Sequence, residues 1–436
     1  MDPDARFAGH RINDGNNLTS QDTAVSPKNH SQVSALDPQR RVWLVDALRG
    51  AALFGVLLVN MLWFAGYGNS VTEEQFARLP TAVLDRIVDE AIDQLVFAKS
   101  IGIFAFLFGV GFAMQMDRLQ ASGRMATQIY LRRLSGLLLL GLIHWFAIWS
   151  GEILHVYALA GMALLLVYRW PSRVLIGVGL PLAVLARPLL VRAHLLFGEP
   201  GTESGINAAN EVAHRLSTFL HGSLVDIAAM QIREDCLPEF ASGALIAAIV
   251  HALGRFMIGV VCARGRYLEQ ADRFHRQVLW IAVSALPLGL LAQRDWLFVG
   301  WLQASRWIST DQQAGLAGHI CNSLGVVLMT AGYVAAFCYF WHRPNWQRIL
   351  ATLVPVGQMA LTNYLLQTLI NGVLFYGFGL GLMGRVGASI CLVLAIAIFL
   401  VQVVGSSWWM ARFRFGPVEW AWRWWTYGQR PAFLRA

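Results

Sequence analysis

Long apolar runs recur along this chain from about residue 48 to about residue 404, and they constrain its fold more than any other feature. Each run is close to the roughly 20 residues that a helix needs to cross a hydrocarbon core about 30 Å thick. The runs at 134–149 and 388–404 lack the alternating pattern of the strands in an outer-membrane barrel. The sequence therefore predicts an all-α polytopic integral membrane protein.

Ten membrane-spanning helices in one bundle fit the apolar runs best. Because 56% of the residues are hydrophobic and only 14% are charged, soluble α/β, barrel and sandwich folds are excluded. The predicted spans are centred near residues 56, 108, 142, 161, 182, 252, 285, 328, 365 and 396.

The arginines predict how the bundle is oriented in the membrane. If the N-terminus is cytoplasmic, every inner segment carries arginines, whereas the outer segments at 73–93 and 199–235 are acidic or mixed. We therefore expect both termini in the cytoplasm. The net charge of +8 does not favour nucleic-acid binding, since the arginines lie in short clusters between apolar runs.

The two ends of the chain differ in composition from its middle. Residues 1–38 are polar and have almost no apolar periodicity, which predicts a disordered cytoplasmic tail. Residues 39–407 form the predicted transmembrane bundle. Residues 408–436 are rich in Trp and Arg, which predicts a tail along the cytoplasmic interface in contact with membrane lipids.

Spans three and four form a short hairpin, and each carries a histidine near the turn. Counting from Ser150 and Gly151, His144 and His155 lie at similar depth, about one to two turns below the extracytoplasmic surface. A histidine inside a membrane usually faces a polar interior, where its imidazole can act as a general base. The alternative is a structural hydrogen bond between helices.

No metal site is predicted. Two histidines do not complete a zinc site, and the sequence shows no third ligand. The cysteines are scattered without a spacing that suits zinc or a disulfide framework, so they are interpreted as buried apolar residues: Cys236, Cys262, Cys321, Cys338 and Cys391.

Span one carries polar residues at both of its ends. Arg49 and Asn60 are three helical turns apart on one face, about 16 Å along the axis, so Arg49 faces the cytoplasm and Asn60 the far side. The alternative is local, with Asp46 and Arg49 paired at the helix start and Asn60 bonded to a neighbouring helix. In span two, small residues predict close helix packing, and Lys99 is expected to reach the outer interface.

Spans six and nine carry polar residues at membrane depth. Arg255 lies well inside span six, near His251, where an arginine is expensive unless it faces a water-filled cavity or an anion. It is either a ligand group or a sign that the span is misplaced. Asn363, Gln367 and Asn371 form a stripe at i, i+4 and i+8 of span nine. The stripe predicts either hydrogen bonds between helices or the lining of an acceptor path.

Five segments of the chain resemble the YeiB-like family of bacterial inner-membrane proteins, catalogued as a domain of unknown function. They are residues 41–60, 107–113, 142–159, 357–367 and 414–427. Among them are the motifs Asp-Ala-Leu-Arg-Gly in span one, Gly-Glu-Ile-Leu after the hairpin turn and Gly-Gln-Met-Ala-Leu-Thr-Asn-Tyr before span nine. The resemblance covers about residues 40 to 428.

That family in turn resembles the transmembrane acyltransferases, which include the lysosomal heparan-α-glucosaminide N-acetyltransferase and bacterial polysaccharide O-acetyltransferases. The resemblance implies a ten-helix bundle that passes an acyl group, expected to be acetyl, from cytoplasmic acyl-CoA to a hydroxyl or amine of an extracytoplasmic or membrane-associated acceptor. The acceptor would be a small molecule, a glycan or a lipid-linked group. The lysosomal enzyme has its catalytic histidine shortly after the asparagine that matches Asn60, but residues 61–72 here contain none.

The resemblance also implies roles for the cytoplasmic residues and the acceptor-binding residues. Arg49, Arg132 and Arg133, with Asp46, would form the site for the phosphates of coenzyme A, because guanidinium groups suit phosphate oxygens. The acceptor would contact the polar residues of spans six and nine: His251, Arg255, Asn363 and Gln367.

The catalytic roles would fall to the hairpin and to span one. His144 would deprotonate the acceptor, oriented by Glu152 or assisted by His155, and would contribute roughly 10² to 10⁴ in rate. Asn60 would donate a hydrogen bond to the developing oxyanion. The family's usual Gly-Asp-Ile-Leu is Gly-Glu-Ile-Leu here, so the acid is kept on a longer arm.

Two other classes of function compete with an acyltransferase. A transporter or flippase of a small solute or lipid-linked precursor would also have ten spans with polar stripes. A non-catalytic membrane scaffold is disfavoured because so many polar groups lie at membrane depth. Recognition of acyl-CoA from the cytoplasmic side would separate the enzyme from the transporter.

Overall fold

The computed structural model describes most of the chain after its N-terminal segment. The described residues run from 43 to 435, with gaps at residues 124, 198–204, 306 and 308–309; at 190–197, 205–208, 295–297 and 311–312 only the backbone is described. Segment 1–38, for which the sequence predicts disorder, lies outside the described residues.

The described residues form helices and contain no β-strand, apart from one isolated bridge between Phe413 and Leu434. Eight helices are long and apolar enough to cross a membrane. They are α1 (Trp43–Ala65), α4 (Lys99–Ala121), α5 (Ala126–Ala147), α7 (Ser172–Phe197), α11 (Ala244–Arg264), α12 (His275–Gln293), α14 (Asp311–Trp341) and α18 (Ala388–Arg412). The all-α polytopic membrane fold is thereby confirmed.

Two further helices are apolar but shorter. α6 (Leu154–Val167) has 14 residues and α17 (Ala360–Phe375) has 16, so they are about 21 Å and 24 Å long. Each of the ten predicted centres lies within one of the ten helices named so far. A helix of this length does not cross a 30 Å core alone. Which face of the membrane each end occupies stays a prediction.

Short helices connect the spans. They are α2 (Glu73–Ala77), α3 (Ala82–Leu95), α8 (Gly205–His221), α9 (Leu224–Gln231), a π-helical turn (Ile232–Cys236), α10 (Leu237–Ala241), α13 (Asp295–Ala304), α15 (Pro344–Ala351), α16 (Val354–Gln358) and α19 (Pro417–Tyr427). Several begin with a side-chain cap, as at Thr72, whose hydroxyl accepts a hydrogen bond from the Gln75 amide.

Close approach between α4 and α11 positions the centre of the bundle. A Cβ on Gly109 would lie 2.1 Å from the Phe256 carbonyl oxygen, and one on Gly259 would lie 2.1 Å from that of Phe106. Only glycine permits this separation, so the prediction that span two packs through small residues is confirmed. Lys99 at the start of α4 differs from expectation: it is buried, and its Nζ donates to the Asp93 carbonyl at 2.8 Å.

α8, α9, the π-helical turn and α10 cover the loop between α5 and α6. The Ser150 amide donates to Gln231 Oε1 at 2.6 Å, and the Ser150 hydroxyl donates to Asp235 at 2.7 Å. Arg215 of α8 pairs with Glu234 at 3.1 Å and with Asp235 at 3.0 Å. These contacts hold the hairpin turn against the connecting helices.

The C-terminal segment is folded against the bundle. α18 continues to Arg412, so the predicted boundary at residue 407 falls inside this helix. Trp422 Nε1 of α19 donates to the Arg133 carbonyl at 2.8 Å, and Trp425 Nε1 donates to the Arg132 carbonyl at 3.0 Å. The tryptophan-rich tail therefore contacts the N-terminal half of α5, in addition to any contact with lipid.

Candidate functional site

The end of α5 and the start of α6 bring two histidines together. His144 lies in the last turn of α5, and His155 lies in the first turn of α6. A Cβ on Gly141 would lie 2.5 Å from the His155 amide nitrogen, so glycine lets α6 begin directly against α5. Both imidazoles are 1% exposed. We call this end of α5, with His144, Glu152 and His155, the histidine end.

Glu152 binds the second of these histidines. Its Oε2 accepts from His155 Nδ1 at 2.8 Å and from the His155 amide at 3.2 Å, and its Oε1 accepts from the Leu154 amide. The carboxylate therefore caps the N-terminus of α6, where the helix dipole favours a negative charge. It also holds the Nδ1 proton of His155, so that a neutral imidazole presents its lone pair at Nε2.

The Glu152 carboxyl lies in the loop between α5 and α6, outside both helices. Burial opposes its ionisation, but the hydrogen bonds from the His155 imidazole and the Leu154 amide, together with the nearby His144 imidazole, outweigh burial, so its pKa lies below the usual value. Glu152 is therefore ionised at neutral pH. An ionised carboxylate stabilises the imidazolium that forms when His155 accepts a proton.

His144 is placed differently from His155. Its Nδ1 lies 3.9 Å from Glu152 Oε1, which is too long for a hydrogen bond, and neither of its ring nitrogens has a partner. Its imidazole packs edge-on against the Tyr364 ring, with centroids 5.5 Å apart. The structure thus brings the three predicted residues together, but it is His155 that the carboxylate orients.

Trp145 completes the wall of the histidine end. Its ring stacks on the His155 imidazole with centroids 4.3 Å apart and planes 19° apart. Trp145 is 3% exposed, yet among the described residues neither its Nε1 nor His155 Nε2 has a hydrogen-bond partner. Buried polar atoms of this kind are rare, because each unpaired group costs about 1–3 kcal/mol. A ligand that offers complementary groups would satisfy them.

Two charged residues at this end were not singled out from the sequence. Glu239 of α10 lies within electrostatic range of His155, Glu152 and Arg187, and burial raises the pKa of its carboxyl. Arg187 lies in α7 between two prolines, inside an apolar run. An arginine in such a run is itself a signal of a polar site, and it was available in the sequence.

His251 and Arg255 lie near the histidine end on α11. α11 runs without interruption from Ala244 to Arg264, so the span is correctly placed. Arg255 is 7% exposed, and its Nη1 lies 3.6 Å from the position of a Cβ on Gly102. It interacts electrostatically with Tyr157 and Arg187, and His251 interacts with both arginines. Within the described residues, no carboxylate lies within 4 Å of the Arg255 guanidinium.

The polar stripe of α17 packs against α18. Asn363 Nδ2 donates to Ser406 Oγ at 2.9 Å, and Gln367 Nε2 donates to Gln402 Oε1 at 2.8 Å. Interhelical hydrogen bonding thus accounts for both side chains, although Gln367 Oε1 has no partner. Asn371, one turn further along, is fully buried and neither of its amide atoms is paired.

Asn60 does not join the histidine end through any hydrogen bond. It lies on α1 and is 7% exposed, and its amide has no hydrogen-bond partner within the part of the chain that the structure describes. The structure therefore leaves its predicted role as an oxyanion donor without a direct contact to His144 or His155.

The predicted coenzyme A residues lie at the opposite end of α5, which we call the arginine end (Asp46, Arg49, Arg132 and Arg133). Asp46 and Arg49 pair at 3.1 Å, so the local pairing expected at the start of span one is confirmed. Arg49 also approaches Gly111, and Arg49 and Arg133 both interact with Tyr130. The Arg133 guanidinium lies 3.9 Å above the Trp422 ring.

A cavity of about 510 Å³ lies near the C-terminal ends of α4 and α11. Its walls include Asp117, Gln120, Arg169 and Arg264. The Arg264 guanidinium makes hydrogen bonds within the protein, because it donates to the carbonyls of Tyr168 and Trp170. Arg169 is exposed and remains available to a ligand. In the part of the chain with described side chains, no group of three His, Cys, Asp or Glu is arranged to hold a metal ion.

Comparisons with known proteins agree with this architecture. Residues 262–429 match the family described as protein of unknown function (DUF418). The uncharacterized protein YxaH of Bacillus subtilis (strain 168) is 30% identical over 410 residues, which cover 91% of this chain and 97% of that protein. The uncharacterized protein YeiB of Escherichia coli (strain K12) is 30% identical over 407 residues, which cover 88% of this chain and 96% of that protein.

A third relative, from Bacillus acidopullulyticus, is an uncharacterized 39.9 kDa protein encoded in an amylase 3′ region. It is 28% identical over 405 residues, which cover 92% of this chain and 98% of the relative. No solved structure matches the chain. Because the two 30% identical relatives align over nearly their whole lengths, the chain belongs to the YeiB-like family of multi-pass membrane proteins.

Proposed function

We propose that this protein is an integral-membrane acyltransferase. It would move an acyl group, with acetyl as the expected group, from cytoplasmic acyl-CoA to a hydroxyl or amine of an acceptor at the far side of the bacterial inner membrane. The observation that carries the proposal is the buried Glu152–His155 pair, whose 2.8 Å hydrogen bond leaves His155 Nε2 without a partner. A carboxylate-oriented imidazole with a free lone pair is the arrangement that general-base catalysis requires.

The reaction needs one proton acceptor and one oxyanion donor. His155 Nε2 takes the proton from the acceptor hydroxyl or amine as its oxygen or nitrogen attacks the thioester carbonyl. The tetrahedral intermediate then expels the coenzyme A thiolate, which receives the proton from the imidazolium. Trp145 Nε1, which belongs to the ring stacked on His155 and is unpaired among the described residues, would donate to the oxyanion. His144, 3.9 Å from the same carboxylate, is the second imidazole available to the acceptor.

The arginine end and the histidine end of α5 match the phosphate end and the thioester end of acyl-CoA. Arg132 and Arg133 precede His144 by about three helical turns, which is roughly 16–18 Å along the axis. Acyl-CoA is elongated, with its phosphates and its thioester at opposite ends of a long flexible arm. Guanidinium groups at the arginine end would bind the phosphates while the thioester reaches the histidine end.

Transport is a second candidate, favoured by Arg255. A guanidinium buried in the middle of α11 without a carboxylate partner is common in the substrate pathway of a transporter. A transporter of a small solute or lipid-linked precursor would have no reason to bind acyl-CoA, so donor binding separates the two functions.

The test uses the full chain, purified and placed in lipid nanodiscs. Acetyl-CoA binding and slow acetyl-CoA hydrolysis are measured for wild type, His155→Gln, His144→Gln and Arg133→Gln. We expect His155→Gln to keep binding and to lose roughly 10² to 10⁴ in hydrolysis rate. Arg133→Gln should weaken binding. His275→Gln and Arg276→Gln are matched controls, because both side chains are exposed at the start of α12.

Two results would contradict the proposal. A folded wild-type protein that binds no acetyl-CoA would favour transport. Hydrolysis that survives both histidine substitutions would remove the histidine end from the reaction. If His144→Gln alone abolishes hydrolysis, then His144 is the base, and the hydrogen bond of His155 to Glu152 serves the structure of the α6 N-terminus.

A further inference from the structure

A group of basic residues is linked electrostatically to the histidine end through Glu239 and Tyr157. We call it the basic cluster: Arg255 and His251 of α11 and Arg187 of α7. α7 and α11 run antiparallel in close contact, since a Cβ on Gly254 would lie 2.6 Å from the Ala183 amide nitrogen. Arg187 is one turn beyond Ala183, which brings it alongside the N-terminal half of α11.

Arg255 has no counter-charge among the residues that the structure describes. It is 7% exposed in the middle of a membrane-spanning helix, and no described carboxylate lies within ion-pair distance. An arginine in the middle of a membrane-spanning helix is costly when nothing compensates for its charge. Arg255 interacts with an uncharged polar group, the hydroxyl of Tyr157. Tyr157 donates its own proton to the Ile101 carbonyl at 2.8 Å.

The nearby carboxylates are engaged elsewhere. Glu152 is bonded to His155 and to the amides that open α6. Glu239 lies within range of Arg187 but belongs to α10 at the outer edge of the site, and it is not among the groups that interact with Arg255. The acids of the histidine end therefore leave the Arg255 charge uncompensated.

Unpaired donors surround the same region. Trp145 Nε1 is a hydrogen-bond donor only, and it is buried without an acceptor. His251 Nδ1 is also buried without a hydrogen-bond partner among the described residues. Within those residues, the Arg255 guanidinium has no carboxylate partner and the Trp145 donor has no acceptor. The missing partner is a group with negative charge and acceptor oxygens.

We propose that the acceptor substrate carries an oxyanion, a phosphate or a carboxylate, close to its reacting hydroxyl or amine, and that the basic cluster binds it. This inference rests on the proposed acyltransferase function, because it places the oxyanion at Arg255 while the reacting group faces His155. A phosphate or carboxylate accepts two hydrogen bonds from one guanidinium, which fixes the orientation of the acceptor. The oxyanion can belong to a soluble molecule or to a lipid headgroup.

Binding is tested first without any reaction. Thermal unfolding of the full chain in phosphatidylcholine nanodiscs is measured against increasing inorganic phosphate, acetate and, as the uncharged control, acetamide. A second set of nanodiscs contains phosphatidylglycerol. A ligand that binds the folded state raises the melting temperature, and the increase grows with the logarithm of its concentration above Kd. Stabilisation by phosphate or acetate indicates a soluble acceptor, and stabilisation by phosphatidylglycerol alone indicates a lipid-borne one. Wild type that responds to none of these more than to acetamide overturns the inference.

Variants then locate the binding. Arg255→Gln should weaken anion binding at least tenfold, Arg187→Gln less so, and Arg255→Lys should retain part of it. Arg385→Gln is the matched control, because Arg385 is an exposed arginine in the loop before α18. If Arg255→Gln does not fold, the wild-type responses and Arg187→Gln decide the question. Anion binding that is equal in wild type, Arg255→Lys and Arg187→Gln overturns the assignment.

Acetyl-CoA binding and hydrolysis are recorded on the same samples, so that two failures can be distinguished. Donor hydrolysis that persists while no anion binds overturns this inference and leaves the proposed function. Arg255-dependent anion binding without any handling of acetyl-CoA overturns the acyltransferase function instead. The basic cluster would then be a ligand site of a transporter.

Discussion

Replacement of Glu152 by glutamine tests whether its carboxylate makes His155 a base. The substitution keeps the shape of the side chain and removes its charge. The carboxylate accepts hydrogen bonds from His155 Nδ1 at 2.8 Å, from the His155 amide at 3.2 Å and from the Leu154 amide. A hydrogen bond to a charged group is worth about 1.5–3 kcal/mol. Loss of the bond to the imidazole should therefore slow acetyl-CoA hydrolysis roughly 10- to 150-fold.

Stability provides a second readout of the same change. Since the pKa of Glu152 is lowered in the folded protein, its ionised form stabilises the fold at any pH above the usual glutamate value of about 4.3. This contribution is lost as the pH falls through the lower, folded-state pKa. The difference in melting temperature between wild type and Glu152→Gln should therefore be largest at neutral pH and should shrink in acid.

The matched control for this substitution is Glu152→Asp, which keeps the charge on a shorter arm. We expect it to retain most of the hydrolysis. Wild-type rates in Glu152→Gln, or a stability difference that does not change with pH, would refute the reasoning. Equal losses in the Gln and Asp variants would show that arm length, and not charge, governs the site.

Two further predictions concern the framework. Gly109→Ala should destabilise the protein by about 1–3 kcal/mol, since its Cβ would lie 2.1 Å from a carbonyl oxygen of α11. The control is Gly177→Ala, at an open helical position of α7, which should be neutral or stabilising by thermal unfolding. Equal effects at both glycines would contradict the packing argument. Glu419 accepts hydrogen bonds from the amides of Leu361 and Thr362 at 2.7 Å and 3.0 Å. Glu419→Ala should therefore lower the melting temperature, whereas Glu419→Gln, which retains an acceptor oxygen, should lower it less. A larger loss in the Gln variant than in the Ala variant would refute the capping role.

Much of the fold could be predicted from apolar run lengths alone. In lipid every backbone polar group must be satisfied within the segment, so an apolar run of about 20 residues becomes a helix whatever surrounds it. All ten predicted centres lie in helices for this reason. The hairpin could be predicted too, because the turn at Ser150 and Gly151 places His144 and His155 at similar depth. Local pairs such as Asp46 with Arg49 follow from helical spacing.

The tertiary structure decided which residues meet. Glu152 binds His155 because the loop before α6 turns the carboxylate onto the first helical turn, a geometry that hydropathy does not encode. Arg187 and Glu239 reach the site from α7 and α10, far away in the sequence. Such contacts depend on how closely helices approach one another, which glycines and shape complementarity set. Run length and charge therefore determine where the helices lie in the sequence, whereas helix packing alone determines which side chains meet between them.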